Sequence, residues 1–449
     1  MSLTVFASFG RDEPTMSRTV SVVGLGYIGL PTAVCLAEAG FQVVGVDVNP
    51  AVVASLNEAK SHIVEPGLDR VLEEVVKSGG LKGVTAPVAA DAYLIAVPTP
   101  VGEDAYRTPD MSYVETAVAA LAPVLKRGSL IVLESTSPVG STRRLVRQLQ
   151  EARPDLRVAS PGATEAEIDV DVAYSPERVI PGRTMIELRT NDRVVGGVTP
   201  RAARRAAALY AQVTTGEIFI TDDRTAEFVK LTENAFRDVN IAFANELSLV
   251  CDEQALDVWE VIQLANRHPR VSILQPGPGV GGHCIAVDPW FIVAQSPKTA
   301  RLIRTAREVN DAKPGWVIDK VRQLADADPQ ARIACLGLAF KPNVDDFRES
   351  PSLEIARELS ALYPGRVTCA DPFEFALRRR DGLAFGDAAE LTAACDIVVA
   401  LVAHDAFKAC RPTDNVAVVD ACGLWRGERS GTSVVQGEPR MAALAAVGR

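Results

Sequence analysis

Short apolar runs alternate with stretches of helical periodicity along the first part of the chain. The β-branched run TVSVVG at 19–24 precedes a helical pattern at 25–40 and a second apolar run at 41–49. This order predicts a strand, a loop, a helix and a strand, the opening unit of a doubly wound parallel sheet. Further elements are predicted as strands at 92–97, 129–134 and 193–197 and as a helix at 112–126.

The middle of the chain is predicted to be mostly helical. Residues 201–265 show helical patterns, and because no Gly or Pro occurs between Thr225 and Leu256, one long helix is predicted there. The stretch 266–290 is irregular and rich in Gly and Pro, and helices resume at 298–326. The long helix is a candidate for a central connector and a dimer surface.

The last third repeats the opening pattern in outline. A strand at 332–340 ends at a glycine loop, a helix follows at 350–362, and strands follow at 366–372 and 395–404. We therefore expect an α/β fold with two Rossmann-like parallel-sheet domains joined by a long central helical region. The expected parts are an N-terminal extension 1–16, a Rossmann domain 17–200, a central helical and dimerisation domain 201–326 with a catalytic loop, a second Rossmann-like domain 327–430 and a tail 431–449.

Composition narrows the class of protein. A chain of 449 residues, 47% hydrophobic and 23% charged, has room for about two to four domains. Its net charge of −10, without a basic run, argues against binding to nucleic acid or to an anionic membrane. No apolar run reaches the roughly 18 residues that span a bilayer, and the first residues do not form a secretory signal. We expect a cytoplasmic protein without membrane insertion.

Gly24, Gly26 and Gly29 give the spacing Gly-x-Gly-x-x-Gly directly after the first predicted strand, with Tyr27 and Ile28 inside the motif. Glycines at these places allow a tight turn, close approach of the backbone to a pyrophosphate, and close packing of helix on strand. Asp47 ends the next predicted strand, where a carboxylate accepts hydrogen bonds from a ribose 2′-hydroxyl and repels a 2′-phosphate. The motif therefore predicts NAD rather than NADP.

Two threonines follow later strands of the first predicted sheet. Thr99 lies in VPTP and Thr136 in ESTSPVGST. Ligands bind at the carboxyl ends of the strands in such folds, so both hydroxyls are candidates for cofactor contacts. The two side chains could equally cap the turns or helices that come next, and the pattern leaves this open.

A polar stripe lies on the predicted long helix. Lys230, Asn234 and Arg237 are spaced i, i+4 and i+7, on one face. A solvated face is the ordinary interpretation, but apolar residues cover much of the remaining circumference. We therefore expect the stripe to line a cavity, where a desolvated lysine can hold an oxyanion or exchange a proton.

The eight cysteines and four histidines include no Cys-x-x-Cys pair, so we expect neither a metal site nor a disulfide framework. Most of the thiols should be small buried hydrophobic residues. Cys284 differs because it follows GVGGH in the irregular loop, with Asp288 four residues later. An accessible thiolate there can add to a carbonyl carbon and form a covalent intermediate.

These segments together resemble one known family, the nucleotide-sugar 6-dehydrogenases of the UDP-glucose and GDP-mannose dehydrogenase type. The resemblance runs from about residue 19 to residue 426. Within the family, residues 266–291 look most like the branch that acts on UDP-N-acetyl-D-mannosamine. Val287 stands where the UDP-glucose branch typically has lysine, which argues against glucose. The motifs that carry the resemblance are GLGYIGLP, VPTP, ESTSPVGST, YSPERVIPG, KLTENAFRDVNIAFANE, GPGVGGHC and GLAFKPNVDDFRESP.

The resemblance implies a four-electron oxidation of the sugar C6 alcohol to a carboxylate with two molecules of NAD, for synthesis of a surface polysaccharide. It implies that Cys284 captures the aldehyde as a thiohemiacetal and then carries a thioester. Lys230 and Asn234 would stabilise the oxyanion, while Asp288 and Glu177 would position water or handle protons. It further implies a homodimer through the central helix.

The resemblance also assigns binding residues. Arg348 would reach the NAD pyrophosphate, and Phe340 and Lys341 would meet the UDP. Arg270 would serve the site of a neighbouring subunit. The full set implied for the UDP-sugar substrate is Arg178, Val179, Lys230, Asn234, Arg237, His268, Arg270, Gly281, Phe340, Lys341 and Arg426.

Three other functions stay open at this point. The first is a sister dehydrogenase for UDP-N-acetylglucosamine or UDP-glucose, and the second is a one-step β-hydroxyacid dehydrogenase. The third is a protein that senses NAD without catalysis. The last two leave Cys284 without a role, because neither requires a nucleophile.

Overall fold

The computed structural model describes residues 4–5, 19–102, 104, 106–282, 284–377 and 382–426. The chain divides into two compact units: Met1–Glu233 with Trp290–Pro297, and Asn234–Pro289 with Lys298–Arg449. Each unit contains one sheet of the described residues.

The first unit is built on a nine-stranded sheet of described residues, in the order β1-β9-β8-β7-β6-β5-β2-β3-β4. The six strands β4-β3-β2-β5-β6-β7 have the order of a doubly wound fold. From β2 the chain adds β3 and β4 on one side, and it then returns to add β5, β6 and β7 on the other side. All neighbours are parallel except β1 with β9 and β7 with β8. The strands are β1 Thr4–Val5, β2 Thr19–Val23, β3 Gln42–Val46, β4 Leu81–Val84, β5 Ala92–Ile95, β6 Leu130–Leu133, β7 Asp171–Tyr174, β8 Arg193–Gly197 and β9 Ile218–Asp222.

Helices pack on both faces of this sheet. Leu130 and Val132 of β6 face one apolar core, and Ile131 and Leu133 face the other, as expected for a strand that is buried on both sides. Capping side chains start two of the helices where the sequence places a proline at the first position. The helices are α1 Gly29–Glu38, α2 Pro50–Asn57, α3 Leu68–Lys77, α4 Ser112–Leu121, α5 Ser141–Ala152, α6 Thr184–Thr190 and α7 Pro200–Tyr210.

The structure differs from the sequence prediction after residue 200. The segment 201–265 is predicted to be mostly helical, but β9 interrupts it and pairs with β8 in the first sheet. The predicted limit at 200 thus falls inside the first unit. The strand is only five residues long and only Ile218 in it is buried, so its pattern is weak between two helical stretches.

The long helix predicted between Thr225 and Leu256 is confirmed as α8, Asp223–Glu253, with 31 residues. The boundary between the two units falls within this helix. Three helices follow it before the second sheet: α9 Val258–Ala265, α10 Asp288–Gln295 and α11 Arg301–Ala327.

The second unit contains a four-stranded parallel sheet of described residues in the order β11-β10-β12-β13. Its strands and helices are β10 Ile333–Leu336, α12 Pro351–Leu362, β11 Val367–Ala370, α13 Ala388–Ala394, β12 Ile397–Ala400 and β13 Ala417–Asp420. The predicted fold class, two Rossmann-like parallel-sheet domains with a helical region between them in sequence, is therefore confirmed.

Five of the eight cysteines are buried, and Cys284, Cys410 and Cys422 are partly exposed. In the part of the chain that the structure describes, no group of three or more His, Cys, Asp or Glu side chains is placed to hold a metal ion. None of the described helices combines the length and the apolar character needed to cross a bilayer.

Candidate active site

The turn after β2 explains two of the three glycines of the fingerprint, Gly24 and Gly29. Gly24 has φ +91°, and a Cβ there would lie 2.5 Å from the carbonyl oxygen of Ala96. A Cβ at Gly29 would lie 1.8 Å from the carbonyl oxygen of Gly24, so the start of α1 packs directly on the turn. A Cβ at Gly26 would meet nothing within 4 Å, which leaves this part of the turn open for a pyrophosphate.

Asp47 lies at the end of β3 and holds the same turn. Its Oδ2 accepts the amide of Leu25 at 3.0 Å and its Oδ1 accepts the amide of Asn49 at 2.9 Å. The side chain is partly exposed, as are Tyr27 and Ile28 in the turn. A partly exposed carboxylate fits a ribose hydroxyl of NAD, and the N-terminus of α1 fits the pyrophosphate.

Thr99 and Thr136 lie next to each other, after the neighbouring strands β5 and β6. The hydroxyl of Thr99 donates to the carbonyl oxygen of Thr136 at 2.8 Å, and Ser135 Oγ donates to the carbonyl oxygen of Val97 at 2.7 Å. Both threonines are partly exposed at the carboxyl ends of the parallel strands. Their position suits cofactor contacts, while the hydroxyl of Thr99 also ties the two strand ends together.

Glu177 is one end of a buried network that the sequence reasoning missed. Its Oε2 lies 2.6 Å from Arg193 Nη2, and the Arg193 guanidinium stacks 4.2 Å from the centroid of the Tyr210 ring. The Tyr210 hydroxyl donates to Glu134 Oε1 at 2.6 Å. Burial raises the pKa of Glu134 to about 7. The signal available in the sequence was Glu134 itself, a carboxylate at the end of a buried strand.

The segment after Glu177 is held by further ion pairs. The amide of Arg178 donates to Glu177 Oε1 at 2.8 Å, and the guanidinium of Arg178 pairs with Glu233 at 2.6 Å. Val179 packs against the core of the first unit. The structure thus places Glu177, Arg178 and Val179 in one ordered segment after β7.

The buried polar stripe on α8 differs from the one predicted. Lys230 and Asn234 are 8% and 7% exposed, but Arg237 points to solvent. The buried polar positions continue instead through Asp238 and Asn245, both fully buried. Sequence spacing alone could not separate Arg237 from Asp238, because both lie within one turn of Asn234.

The apolar residues of α8 also differ from expectation. Phe236 is 67% exposed, Phe243 50% and Phe228 48% in the single chain. The apolar residues that cover much of the helix are therefore not all buried in the described chain, contrary to the expectation of a mostly buried helix. The aromatic side chains form an exposed row on the helix.

Cys284, Asp288 and Asn234 lie together in the second unit. The amide of Asp288 donates to the carbonyl oxygen of Cys284 at 2.8 Å, so the cysteine sits one turn before α10. Asn234 Nδ2 donates to Asp288 Oδ2 at 2.5 Å. Asp288 is 2% exposed, whereas Cys284 is partly exposed. His283, next to Cys284, lies outside the described residues.

The glycine loop before Cys284 is packed tightly against the segment that follows β10. A Cβ at Gly281 would lie 2.4 Å from the carbonyl oxygen of Glu349 and 2.8 Å from the Phe340 side chain. The amide of Gly282 donates to the carbonyl oxygen of Arg348 at 3.2 Å. Predicted site residues from distant parts of the sequence, Gly281, Phe340 and Arg348, thus meet within the second unit.

Three basic residues of the second unit, Lys341, Arg348 and Arg426, are predicted to contact ligands. Lys341 is partly exposed, and Arg348 pairs with Asp346 at 2.6 Å. Arg426 donates to Gln275 Oε1 at 2.6 Å and lies 3.6 Å from the centroid of the Trp259 ring.

His268 and Arg270 are both exposed in the turn after α9. The amide of Arg270 donates to His268 Nδ1 at 3.4 Å.

Most of the chain matches one family in three consecutive parts. Residues 18–214 match the NAD binding domain of the UDP-glucose/GDP-mannose dehydrogenase family, 224–312 its central domain, and 334–426 its UDP binding domain.

Curated relatives and solved structures share most of their length with this chain. A UDP-N-acetyl-D-mannosamine dehydrogenase from Salmonella typhi is 56% identical, over 91% of this chain and 99% of the relative. An NDP-N-acetyl-D-galactosaminuronic acid dehydrogenase from Ralstonia solanacearum is 53% identical, over 92% of this chain and 97% of the relative. The structure of a UDP-D-ManNAc dehydrogenase from Pyrococcus horikoshii is 36% identical with a TM-score of 0.81, covering 92% of this chain and 97% of that one.

The glycine turn with Asp47, the accessible cysteine beside Asp288 and the three consecutive domain matches agree with one another. The chain belongs to the UDP-glucose/GDP-mannose dehydrogenase family and is an NAD-dependent dehydrogenase.

Proposed function

We propose that this protein oxidises C6 of UDP-N-acetyl-D-mannosamine to the carboxylate in two NAD-dependent steps. The observation that carries the reaction class is the arrangement of Cys284 with Asp288 and Asn234, because a nucleophile is needed only if the aldehyde is oxidised further. The sugar is inferred from the Salmonella typhi relative at 56% identity and from Val287 beside Asp288.

The proposed reaction balances over two oxidations. The C6 alcohol loses a hydride and a proton to give an aldehyde, and the Cys284 thiol adds to the aldehyde carbon to give a thiohemiacetal. Loss of a second hydride and proton gives a thioester, and water cleaves the C–S bond to release the acid and the thiol. When bound, NAD accepts one hydride in each oxidation, so one sugar and one water yield two NADH.

The buried polar side chains have distinct roles in this proposal. Lys230 and Asn234, one turn apart on α8, stabilise the oxyanions that form at C6. Asp288, held by Asn234, is a base for the attacking water. Glu177, held by Arg193, handles a proton during the first oxidation. Cys284, one turn before α10 and partly exposed, is the nucleophile that adds to the aldehyde.

We assign the contacts to NAD and to the UDP-sugar as the sequence predicts. Gly24, Gly26, Tyr27, Ile28, Gly29, Asp47, Thr99, Thr136 and Arg348 serve NAD. Arg178, Val179, Arg237, His268, Arg270, Gly281, Phe340, Lys341 and Arg426 serve the UDP-sugar. The domain limits of 17–200, 201–326 and 327–430 remain predictions.

A second candidate substrate is an N-acetylgalactosamine nucleotide, because the Ralstonia solanacearum relative at 53% identity has a name that refers to that sugar. NADH formed per sugar, measured with UDP-N-acetyl-D-mannosamine, UDP-N-acetylgalactosamine, UDP-N-acetylglucosamine and UDP-glucose, separates the candidates. We expect two NADH per sugar with the mannosamine nucleotide. Turnover with another of the four alone would overturn the sugar assignment.

The role of Cys284 has its own test. Cys284→Ser should stop the reaction before the acid, so that no uronate is detected by mass spectrometry after long incubation. Cys410→Ser is a matched control, since that thiol is also partly exposed but packs against an apolar core of the second sheet. Acid formation by the Cys284 variant at the rate of the unmodified enzyme would contradict the covalent route.

The protein also forms a homodimer through α8 in this proposal. Phe228, Phe236, Phe243 and Val250 are 48% or more exposed and spaced by eight, seven and seven residues, which keeps them on one face. Light scattering tests this: F236D with F243D should give a monomer, whereas I186D, at an exposed position on α6, should not. A dimer that survives the double substitution would exclude this face.

The eight free cysteines suit the reducing cytoplasm, where we place the reaction. The uronate product is an acidic sugar donor for a surface polysaccharide.

A further inference from the structure

A buried polar network lies between α8 and α11 in the second unit. Asp238 and Asn245 belong to α8, Arg307 and Asn310 belong to α11, and each of the four is at most 1% exposed. Apolar residues of similar volume would join two helices at least as well, because desolvating charges and amides costs free energy.

The bonds of this network form a continuous chain. Arg307 Nη1 donates to Asp238 Oδ1 at 2.6 Å, and Asn310 Nδ2 donates to the same oxygen at 2.8 Å. Asn245 Nδ2 donates to Asn310 Oδ1 at 2.8 Å. These bonds fix the orientation of the Asn245 amide, so that its oxygen is free to accept from another group.

The hydrogen-bonded network ends at the backbone of the glycine loop. Asn245 Oδ1 accepts the amide of Gly277 at 2.8 Å, seven residues before Cys284. At the far side of the loop, Gly281 fits closely against Glu349 and Phe340. The loop is therefore bonded to the network at its beginning and packed against a different segment near its end.

The network is not arranged for stability alone. Asp238 Oδ2 and Arg307 Nε are buried without a hydrogen-bond partner among the described residues. Leaving such atoms unsatisfied costs free energy that an apolar contact would avoid. What the polar side chains supply, and an apolar contact would not, is a correctly oriented acceptor for the amide of Gly277.

We propose that Asp238, Arg307, Asn310 and Asn245 are positioning residues that fix the glycine loop and thereby hold the Cys284 sulfur where it captures the aldehyde. This proposal rests on the proposed function of Cys284. The first oxidation requires no sulfur, so a displaced loop impairs the second oxidation more than the first.

The test compares Asn245→Ala and Asn310→Ala with a matched control, Asn57→Ala. Asn57 Nδ2 donates to the carbonyl oxygen of Gly83 at 3.0 Å and its Oδ1 accepts the amide of Gly83 at 2.7 Å, so its loss also removes two partly buried bonds to a backbone, but in the first unit. The full-length enzyme turns over UDP-N-acetyl-D-mannosamine with NAD, and hydroxylamine traps any aldehyde that is released. Hydrogen exchange of residues 276–282 is followed in parallel.

We expect aldehyde release to rise at least tenfold in N245A and by a smaller factor in N310A, with NADH per sugar falling from two towards one. The N310A variant should also exchange faster at 276–282 although it leaves Asn245 in place. The N57A control should keep two NADH per sugar whatever its melting temperature. Unchanged partitioning in both network variants, or the same change in N57A, would overturn the proposal.

Failure of the proposed function gives a different result. If Cys284→Ser still forms the acid, the covalent route is wrong. The exchange of 276–282 in N310A then tests the loop anchoring by itself, and unchanged exchange there overturns it.

Discussion

The two Rossmann-like domains contain nearly the same glycine and aspartate turn. Gly24 and Gly337 have φ +91° and +85°. Asp47 accepts the amides of Leu25 and Asn49 at 3.0 and 2.9 Å. Asp371 accepts the amides of Leu338 and Phe373 at 2.7 and 2.8 Å in the same way. The internal repeat seen in the sequence is therefore present at the level of individual hydrogen bonds.

The two turns lead into different segments of chain. After Gly24, α1 begins at Gly29 and directs its N-terminus towards the open face of Gly26. After Gly337, α12 begins only at Pro351, and the intervening loop contains Phe340, Lys341 and Arg348. Only the first turn has the immediate helix N-terminus that binds a pyrophosphate.

The two aspartates also differ, in exposure and in the groups that they contact. Asp47 is partly exposed, whereas Asp371 is 5% exposed and its Oδ2 lies 3.4 Å from Nε2 of the fully buried His404. His404 Nδ1 in turn accepts the amide of Asn343 at 3.0 Å. The second aspartate therefore holds a protein loop, while the first is left able to meet a ribose. The same turn does not by itself determine the ligand.

Exchanging the first glycine of each turn for alanine is the strongest test of whether the first turn serves NAD and the second serves UDP. A Cβ at Gly24 would lie 2.5 Å from Ala96 O, and one at Gly337 would lie 2.5 Å from Val402 Cβ, with a left-handed φ at both positions. We expect G24A to weaken NADH binding about a hundredfold and to leave UDP binding within threefold. G337A should do the reverse. Calorimetric titration with NADH and with UDP measures both, and equal loss of both ligands in either variant would show that the turns are not independent.

Exchanging each aspartate for asparagine should have a smaller effect. D47N loses a charged acceptor for the ribose hydroxyl and places an amide NH2 against the backbone amide of Leu25 or Asn49, so the KM for NAD should rise about tenfold while that for the UDP-sugar stays unchanged. D371N places an amide NH2 against the backbone amides of Leu338 or Phe373, which should lower the melting temperature and weaken UDP binding. A D371N variant with an altered KM for NAD alone would contradict the assignment of the two domains.

The contrast between the turns also shows what the sequence could tell in advance. Eight strands, α8 and the glycine turn were predictable because their patterns are local: two-residue or 3.6-residue periodicity, no helix breaker, and a fixed glycine spacing. The strands β1, β4, β7 and β13 were not predicted. The strand β9 was missed because five residues, mostly half exposed, carry little periodicity.

Contacts distant in sequence were not predictable. Tyr210 meets Glu134 across 76 residues and Asn310 meets Asp238 across 72, and neither pair has a characteristic spacing. The burial of Asp238 and exposure of Arg237 depend on which side of α8 packs on α11, and a single sequence does not state this. Tertiary packing decides such pairs, so they could only be read from the structure.

The substitution His404→Ala tests the loop after Gly337, and its expected effect is smaller. Removing the imidazole leaves the amide of Asn343 without its acceptor, a loss of about 1 kcal/mol that should lower UDP affinity roughly fivefold. The cavity left beside Phe373 and Phe407 should lower the melting temperature as well. H404N, whose amide oxygen can replace Nδ1 as acceptor, should recover part of the loss. NADH affinity should be the same in both variants, and a matching decrease in NADH affinity would exclude a role confined to the loop.

The smallest expected effect concerns Glu134, a buried acid in the first unit. The Glu134 carboxylate accepts a hydrogen bond from the Tyr210 hydroxyl. Burial raises the pKa of Glu134 to about 7 from 4.5. Between these pH values the folded protein keeps a proton that the unfolded chain releases, so this group's contribution to stability falls as pH rises from about 4.5 to 7 and is constant above. E134Q should remove that slope, changing the difference in melting temperature between pH 5 and pH 8 by a few degrees relative to the unmodified protein. Thermal unfolding at both pH values measures it, and identical pH profiles for the two proteins would show that Glu134 is already ionised at pH 5.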